Sequence, residues 1–178
     1  EAPTLLVTGG SLGALHVNES MTGGADALPE GAQVVHLTGR GKDEPVRAAV
    51  EAAGLSDRWH VIDYLTTMED ALAVADLVVC RSGAGTVAEM EALGLPCIYV
   101  PLPIGNGEQR LNASDHVAAG GAQLIDDEEF TADFVRRNVF PLLGSTRLAD
   151  MAAASQSLGR AGAARALADL ALDQVKEN

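Results

Sequence analysis

Two glycine-rich segments carry residue types that could bind a phosphorylated ligand. Residues 9–14 read GGSLGA and residues 81–89 read RSGAGTVAE, and each follows a short apolar run. Glycines let a backbone approach a phosphate closely, and the N–H groups at a helix start attract an anion. Two such turns at one cleft suit a diphosphate, and Glu89 could accept hydrogen bonds from both hydroxyls of a ribose. Each segment alone also fits an ordinary strand-to-helix turn, and Glu89 fits an acid that favours a helix start.

Two further segments hold side chains suited to a sugar and a base. Residues 101–113 read PLPIGNGEQRLNA, and amide and carboxylate groups at a helix start can bind sugar hydroxyls. The alternative for this segment is capping of the helix that follows. Residues 64–68 read YLTTM, where an apolar wall beside exposed backbone could hold a planar base. The residue types there favour core packing of Tyr64 and Met68.

Several common catalytic and cofactor motifs are missing from the sequence. The spacing G-G-x-x-G departs from the dinucleotide fingerprint, and no acid follows the second apolar run to hold a ribose. The Gly-Lys-Ser/Thr of a P-loop is absent, and the residues give no argument for a Ser-His-Asp arrangement. The four histidines have no metal-ligand spacing, and there is no D-x-D. The sequence therefore predicts no metal site and argues against an oxidoreductase.

Short apolar runs alternate with longer amphipathic ones along the chain. This alternation predicts a doubly wound parallel α/β sheet, with any ligand beyond the carboxyl ends of the strands. The predicted strands are 4–8, 33–38, 59–64, 76–80, 96–100 and 122–125. The predicted helices are 12–28 (with Ser11 as N-cap), 43–53, 68–75, 86–93, 107–119, 131–143, 146–158 and 161–175.

Composition narrows the class of protein and its partners. The 178 residues fit one domain, and 47% apolar with 21% charged residues is globular rather than disordered. A formal charge of −13 argues against nucleic acid as a partner and against electrostatic binding to anionic lipid. Cys80 and Cys97 lie in apolar runs, which indicates reduced core residues of a cytoplasmic protein. We expect no membrane span and no signal peptide, and the early first strand is typical of a domain cut from a longer protein.

Four motifs together resemble the MurG family of glycosyltransferases. They are GGSxGA at residues 9–14, CRSGAxTVxE at 80–89, GLP at 94–96 and EQxxNA at 108–113. The resemblance runs in order from Thr4 to about Gly121, and the 81–89 block is its most specific part. It implies the C-terminal, donor-binding lobe of a two-lobed GT-B enzyme, with residues 1–178 forming that domain. It also implies that the terminal helix in residues 160–178 crosses to the other lobe.

The family also implies roles for particular residues. Gly10, Ser11 and Gly13 would meet the diphosphate, the Leu65 backbone would pair with the uracil edge, and Glu89 would hold the ribose. Gln109 would hold hydroxyls of the GlcNAc ring, with Glu108 beside it in place of the second amide of many relatives. Relatives also often carry a larger residue where Gly85 stands. The remaining residues expected around the donor are Arg81, Ser82, Gly83, Ala84, Gly85, Thr86, Val87, Ala88 and Asn112.

By the same resemblance, the reaction is an inverting transfer of GlcNAc from UDP-GlcNAc to lipid I, giving lipid II for peptidoglycan. The family needs no cofactor, and the UDP charge would be stabilised by helix N-termini rather than by a metal ion. Catalytic residues, the lipid I acceptor site and the membrane contact would belong to the other lobe. The intact protein would lie on the cytoplasmic face of the cell membrane, and this chain alone would bind donor without turnover.

Three alternative functions are consistent with the same sequence motifs. The first is another UDP-sugar GT-B enzyme with a different acceptor. The second is a UDP-GlcNAc 2-epimerase, which would need further acid/base residues in the cleft. The third is a non-catalytic nucleotide-binding module.

Overall fold

Six parallel strands form one sheet at the centre of the fold. The computed structural model describes residues 2–10, 13–104 and 106–159. The strands are β1 (Thr4–Thr8), β2 (Gln33–Leu37), β3 (Trp59–Ile62), β4 (Leu77–Cys80), β5 (Cys97–Tyr99) and β6 (Ala122–Leu124). They pair in the order β3-β2-β1-β4-β5-β6, so the predicted doubly wound parallel sheet is confirmed.

Helices cover both faces of this sheet. They are α1 (Leu15–Gly23), α2 (Asp43–Ala52), α3 (Met68–Ala73), α4 (Ala84–Leu93), α5 (Glu108–Asn112), α6 (Ser114–Ala118), α7 (Ala132–Phe134) and α8 (Thr146–Leu158). Gly54 and Gly94 both adopt the left-handed conformation just after α2 and α4, where they end these helices. Among the described residues, no helix combines the length and apolar character that crossing a membrane requires.

Two hydrophobic cores lie on opposite faces of the sheet. One contains Val17 and Met21 of α1, with Trp59 and Phe140, and the other contains Val87 and Met90 of α4. The central strands are buried on both faces, as β4 shows in every residue, because helices pack against each side. Alternate strand residues therefore supply both cores with aliphatic side chains.

Several predicted helices differ from the observed ones. The first begins at Leu15 with Ala14 at the N-cap, not at residue 12 with Ser11 as the cap. The helix predicted over 107–119 is two short helices separated by Ala113. The segment 131–143 continues from α7 into a π-helical turn (Val135–Val139) and a 3-10 turn (Phe140–Leu142). Proline inside this segment removes a backbone donor, which is incompatible with a regular helix.

The terminal helix predicted at 161–175 lies outside the described residues, as do Ser11 and Gly105. The predicted assignment of residues 1–178 to one donor-binding domain stays a prediction.

Candidate functional site

The topology places a crevice between β1 and β4. The chain leaves β1 through α1 on one face and leaves β4 through α4 on the other, so the two connections diverge at this point. Thr8 and Cys80, the last residues of the two strands, lie opposite each other in register. Both glycine-rich segments therefore leave the sheet side by side, where ligands of doubly wound sheets bind.

The first glycine segment is folded tightly against the end of β2. Gly10 and Gly13 have positive φ angles of 81° and 68°, and Gly13 N–H donates to Gly10 O at 2.9 Å. A Cβ on Gly9 would lie 2.3 Å from Ala14 N, and a Cβ on Gly13 would lie 2.1 Å from Thr38 O. Only glycine fits at these two positions, so the backbone itself forms the surface of the crevice.

The second glycine segment opens α4 with free space around its first turn. Gly83 is the N-cap, no side chain caps the helix, and no acid lies in its first turn. A Cβ on Gly85 would meet nothing within 4 Å. Helix α1 likewise has neither a side-chain cap nor an acid in its first turn. Both helix starts can therefore direct N–H groups and a positive dipole end towards an anion.

The expected binding residues of the second glycine segment differ in how deeply they are buried. Ala84, Gly85, Ala88 and Glu89 are exposed. Thr86 is partly buried, as is Gly83. The Ser82 side chain is fully buried, and Val87 is 4% exposed in the core with its N–H bonded to Gly83 O. The Val87 side chain therefore packs in the core, because it lies on the face of α4 that is turned towards the sheet. Its expected place beside the donor stays a prediction.

Arg81 turns its guanidinium inward instead of into open space. Its Nη1 donates to Val100 O and Pro101 O at 3.0 Å each and to Asp127 Oδ1 at 2.5 Å. The side chain of Arg81 is 14% exposed and that of Asp127 is 16% exposed. Arg81 thus joins the ends of β4 and β5 to the segment after β6.

The segment after β5 forms a cavity of about 650 Å³ with residues 126–128. Gln109 Oε1 accepts from Leu102 N–H at 2.9 Å, and Asn112 Nδ2 donates to Ser82 O at 3.1 Å. These amides hold the loop and tie α5 to the second glycine segment. Glu108 is exposed at the first position of α5 beside this cavity, whose acidic rim includes Asp126, the partner of Arg110 in a salt bridge.

The loop after β3 lies on the α4 face of the sheet. Leu65 and Met68 are partly buried against the core that contains Val87. Tyr64, expected in the core, is 41% exposed, and the Arg40 guanidinium carbon lies 3.8 Å from its ring centroid. The expectation was wrong for Tyr64, because a cation on an aromatic face stabilises the ring outside the core.

The structure thus brings together the ends of β1 and β4 and the segment after β5, with Leu65 on the α4 side. Motif reading missed Asp127 and Arg40, which contact Arg81 and Tyr64. Asp127 lies in a run of acidic residues and Arg40 is a single arginine, so neither residue belongs to a recognisable sequence motif. Among the residues that the structure describes, no group of three or more His, Cys, Asp or Glu side chains could hold a metal ion.

The strand order and the two glycine turns at the β1/β4 crevice define a Rossmann-like lobe of the kind found in GT-B glycosyltransferases. The chain belongs to the glycosyltransferase family 28 C-terminal domain family, which it matches over residues 4–171. The crystal structure of MurG from Acinetobacter baumannii superposes with a TM-score of 0.85 at 28% identity, over 96% of this chain and 49% of that one. The predicted MurG resemblance and fold class are confirmed.

Two relatives are similar in sequence over most of this chain. A UDP-N-acetylglucosamine--N-acetylmuramyl-(pentapeptide) pyrophosphoryl-undecaprenol N-acetylglucosamine transferase from Paenarthrobacter aurescens is 44% identical over 98% of this chain and 47% of that protein. The protein of the same name from Bifidobacterium adolescentis is 48% identical over 80% of this chain and 40% of that protein. The chain therefore spans about half the length of these curated relatives.

A UDP-GlcNAc 2-epimerase is similar in fold. The crystal structure of the enzyme from Neisseria meningitidis, bound to UDP-GlcNAc, has a TM-score of 0.62 at 17% identity, over 97% of this chain and 44% of that one. At this identity the match shows a shared fold alone.

Proposed function

We propose that this chain is the donor-binding half of an inverting glycosyltransferase that moves GlcNAc from UDP-GlcNAc to lipid I, making lipid II. The observation that carries the proposal is the pair of glycine turns at the β1/β4 crevice, in a chain 44% and 48% identical to relatives named for this transfer. The superposition on the MurG crystal structure supports the same assignment.

In this proposal, the chain's own groups bind the donor and stabilise the leaving group. The first turns of α1 and α4 and the Gly10–Gly13 turn face the diphosphate, and Ser11 supplies a hydroxyl there. As the acceptor hydroxyl forms a bond to the sugar C1, the bond from C1 to the UDP oxygen breaks and negative charge grows on UDP. N–H groups fixed before the reaction stabilise that charge without reorganisation. No metal or other cofactor is required.

The remaining donor contacts in this proposal are those that the family resemblance implies. Glu89 is exposed on α4 and accepts from the ribose hydroxyls, and the Leu65 backbone pairs with the uracil edge. Glu108 and Gln109 face the sugar from the cavity side. Arg81, Ser82, Asn112 and Val87 shape the site from within, because their side chains are buried or bonded to other parts of the chain.

The other half of such an enzyme would supply the lipid I site, the catalytic base and the membrane contact. In this proposal the whole protein lies at the cytoplasmic face of the cell membrane and acts in cell wall synthesis, and hence in cell division and shape. The helix at residues 160–178 would cross to that half.

Calorimetry with UDP-GlcNAc tests the proposal on this chain directly. We expect binding by the wild type and an affinity about 10- to 100-fold lower for Glu89→Ala, the effect of losing charge-assisted hydrogen bonds to a ligand. Glu51→Ala removes an exposed acid on α2 and should bind as the wild type does. A folded wild type that does not bind UDP-GlcNAc would contradict the proposal.

Turnover assays separate the alternatives. Without its other half, the chain should neither transfer GlcNAc nor epimerise it when followed by NMR. Epimerisation of UDP-GlcNAc at C2 by this chain without any acceptor would favour the 2-epimerase instead.

A further inference from the structure

A buried hydrogen-bond chain leads from β3 to the first glycine segment. Trp59 Nε1 donates to His36 Nδ1 at 3.3 Å, and His36 Nε2 lies 2.9 Å from Asn18 Oδ1. Asn18 Nδ2 then donates to Thr38 O at 3.0 Å. These four residues are between 0% and 2% exposed.

The direction of this chain is fixed by the groups at its two ends. An indole N–H can only donate, so Nδ1 of His36 is the acceptor and Nε2 carries the proton that Asn18 Oδ1 accepts. A backbone carbonyl can only accept, so the Asn18 amide nitrogen faces Thr38 O. Burial lowers the pKa of His36 to about 3, which keeps the ring neutral with a single proton.

The chain ends at the atom against which the glycine segment packs. A Cβ on Gly13 would lie 2.1 Å from Thr38 O and 2.9 Å from Gly39 Cα, so the Gly13 backbone rests directly on this carbonyl. Asn18 also lies on α1, and its own N–H closes the first turn by donating to Ala14 O at 2.9 Å. One side chain thus links the helix that follows the segment to the carbonyl beneath it.

We propose that Asn18 is a positioning residue for diphosphate binding: its amide holds Thr38 O under Gly13 of the first glycine segment and so sets where the N–H groups at the start of α1 point. The inference rests on the proposed function, because it assumes that this segment meets the diphosphate. Asn18 itself is 2% exposed and acts through Thr38 and Gly13 rather than by touching the ligand.

Paired titrations with UDP and uridine test this role, since only UDP carries the phosphates. For Asn18→Ala we expect UDP affinity to fall about tenfold, because binding groups displaced by a fraction of an ångström interact less well with the ligand. Uridine affinity should stay within about twofold, because the base and ribose contacts lie on the α4 side. Asn18→Asp keeps the side-chain shape and the acceptor for His36 Nε2 but sets a carboxylate oxygen against Thr38 O in place of the N–H donor. It should show the same selective loss if the alanine variant does not fold.

A matched control comes from the second buried network of the protein. His116 Nε2 lies 2.8 Å from Ser155 Oγ, which donates to Gly121 O, near the amino end of β6. Ser155→Ala removes comparable buried hydrogen bonds far from the glycine segment. It should lower the melting temperature and leave the ratio of UDP to uridine affinity unchanged.

The outcomes are distinguishable. A parallel loss of UDP and uridine affinity, or wild-type UDP affinity in both Asn18 variants, would overturn the positioning role and leave the proposed function intact. A folded wild type that binds neither UDP nor UDP-GlcNAc would overturn both.

Discussion

Arg81 and Asp127 form a largely buried ion pair that joins the end of β4 to the segment after β6. Because Arg81 Nη1 also donates to Val100 O and Pro101 O, its loss removes support from two neighbouring loops. We expect Arg81→Ala to lower the free energy of unfolding by about 2–3 kcal/mol in urea titrations. Asp127→Asn keeps an acceptor and should lower it by about 1 kcal/mol.

The exposed pair between Arg47 and Asp43 on α2 provides the control for that experiment. Its arginine side chain is 54% exposed, and solvent-exposed pairs of this i,i+4 kind contribute under about 0.5 kcal/mol. If Arg81→Ala were no more destabilising than Arg47→Ala, the inward-facing geometry of Arg81 would be wrong.

Gly13 and Gly85, in the two glycine-rich turns, should respond oppositely to alanine. Gly13 has a φ of 68° and a Cβ there would overlap Thr38 O, so Gly13→Ala should lower the free energy of unfolding by more than about 2 kcal/mol. Gly85 lies inside α4 with open space around it, so Gly85→Ala should raise that free energy by about 0.5–1 kcal/mol through helix propensity. Thermal and chemical melts of both variants check the signs, and destabilisation by Gly85→Ala would contradict the open geometry.

The Ser82 hydroxyl is buried with no hydrogen-bond partner among the residues that the structure describes. Removing an unsatisfied buried hydroxyl does not lose a bond, so Ser82→Ala should leave the free energy of unfolding unchanged or raise it by up to about 1 kcal/mol. Ser20→Ala is the comparison, since Ser20 Oγ donates to Phe130 O at 2.6 Å and its removal should cost about 1–2 kcal/mol. Equal losses in the two variants would mean that Ser82 Oγ has a partner in solution.

Sequence reasoning identified the strands and the crevice because both depend on local pattern. Apolar runs such as LLV in β1 and LVV in β4 are long enough to be buried on both faces, and a glycine turn follows each strand. Parallel topology then places both turns at one edge. The place of the Gly13 turn at this edge could therefore be anticipated without coordinates.

The parts that sequence could not supply depend on contacts between distant residues. Arg81 was expected at the ligand, but a carboxylate 46 positions away and two carbonyls just after β5 draw its guanidinium inward. Tyr64 was expected in the core, but Arg40 lies over its ring at the surface. Local residue type cannot distinguish these outcomes, because the partners come from loops elsewhere in the chain.

Acid should destabilise the fold through His36. Its pKa is about 3 in the folded protein and about 6.5 when unfolded, so between these values the unfolded state binds one more proton. The free energy of unfolding is therefore highest above about pH 6.5. It falls as the pH drops, by about 2 kcal/mol between pH 7.5 and pH 5. Urea titrations across this range should show a clearly smaller loss for His36→Gln, which cannot take up that proton. His116, whose pKa is also lowered by burial, contributes to both proteins alike, so the difference between them isolates His36. Identical pH dependence in the two proteins would show that His36 is not held neutral by burial.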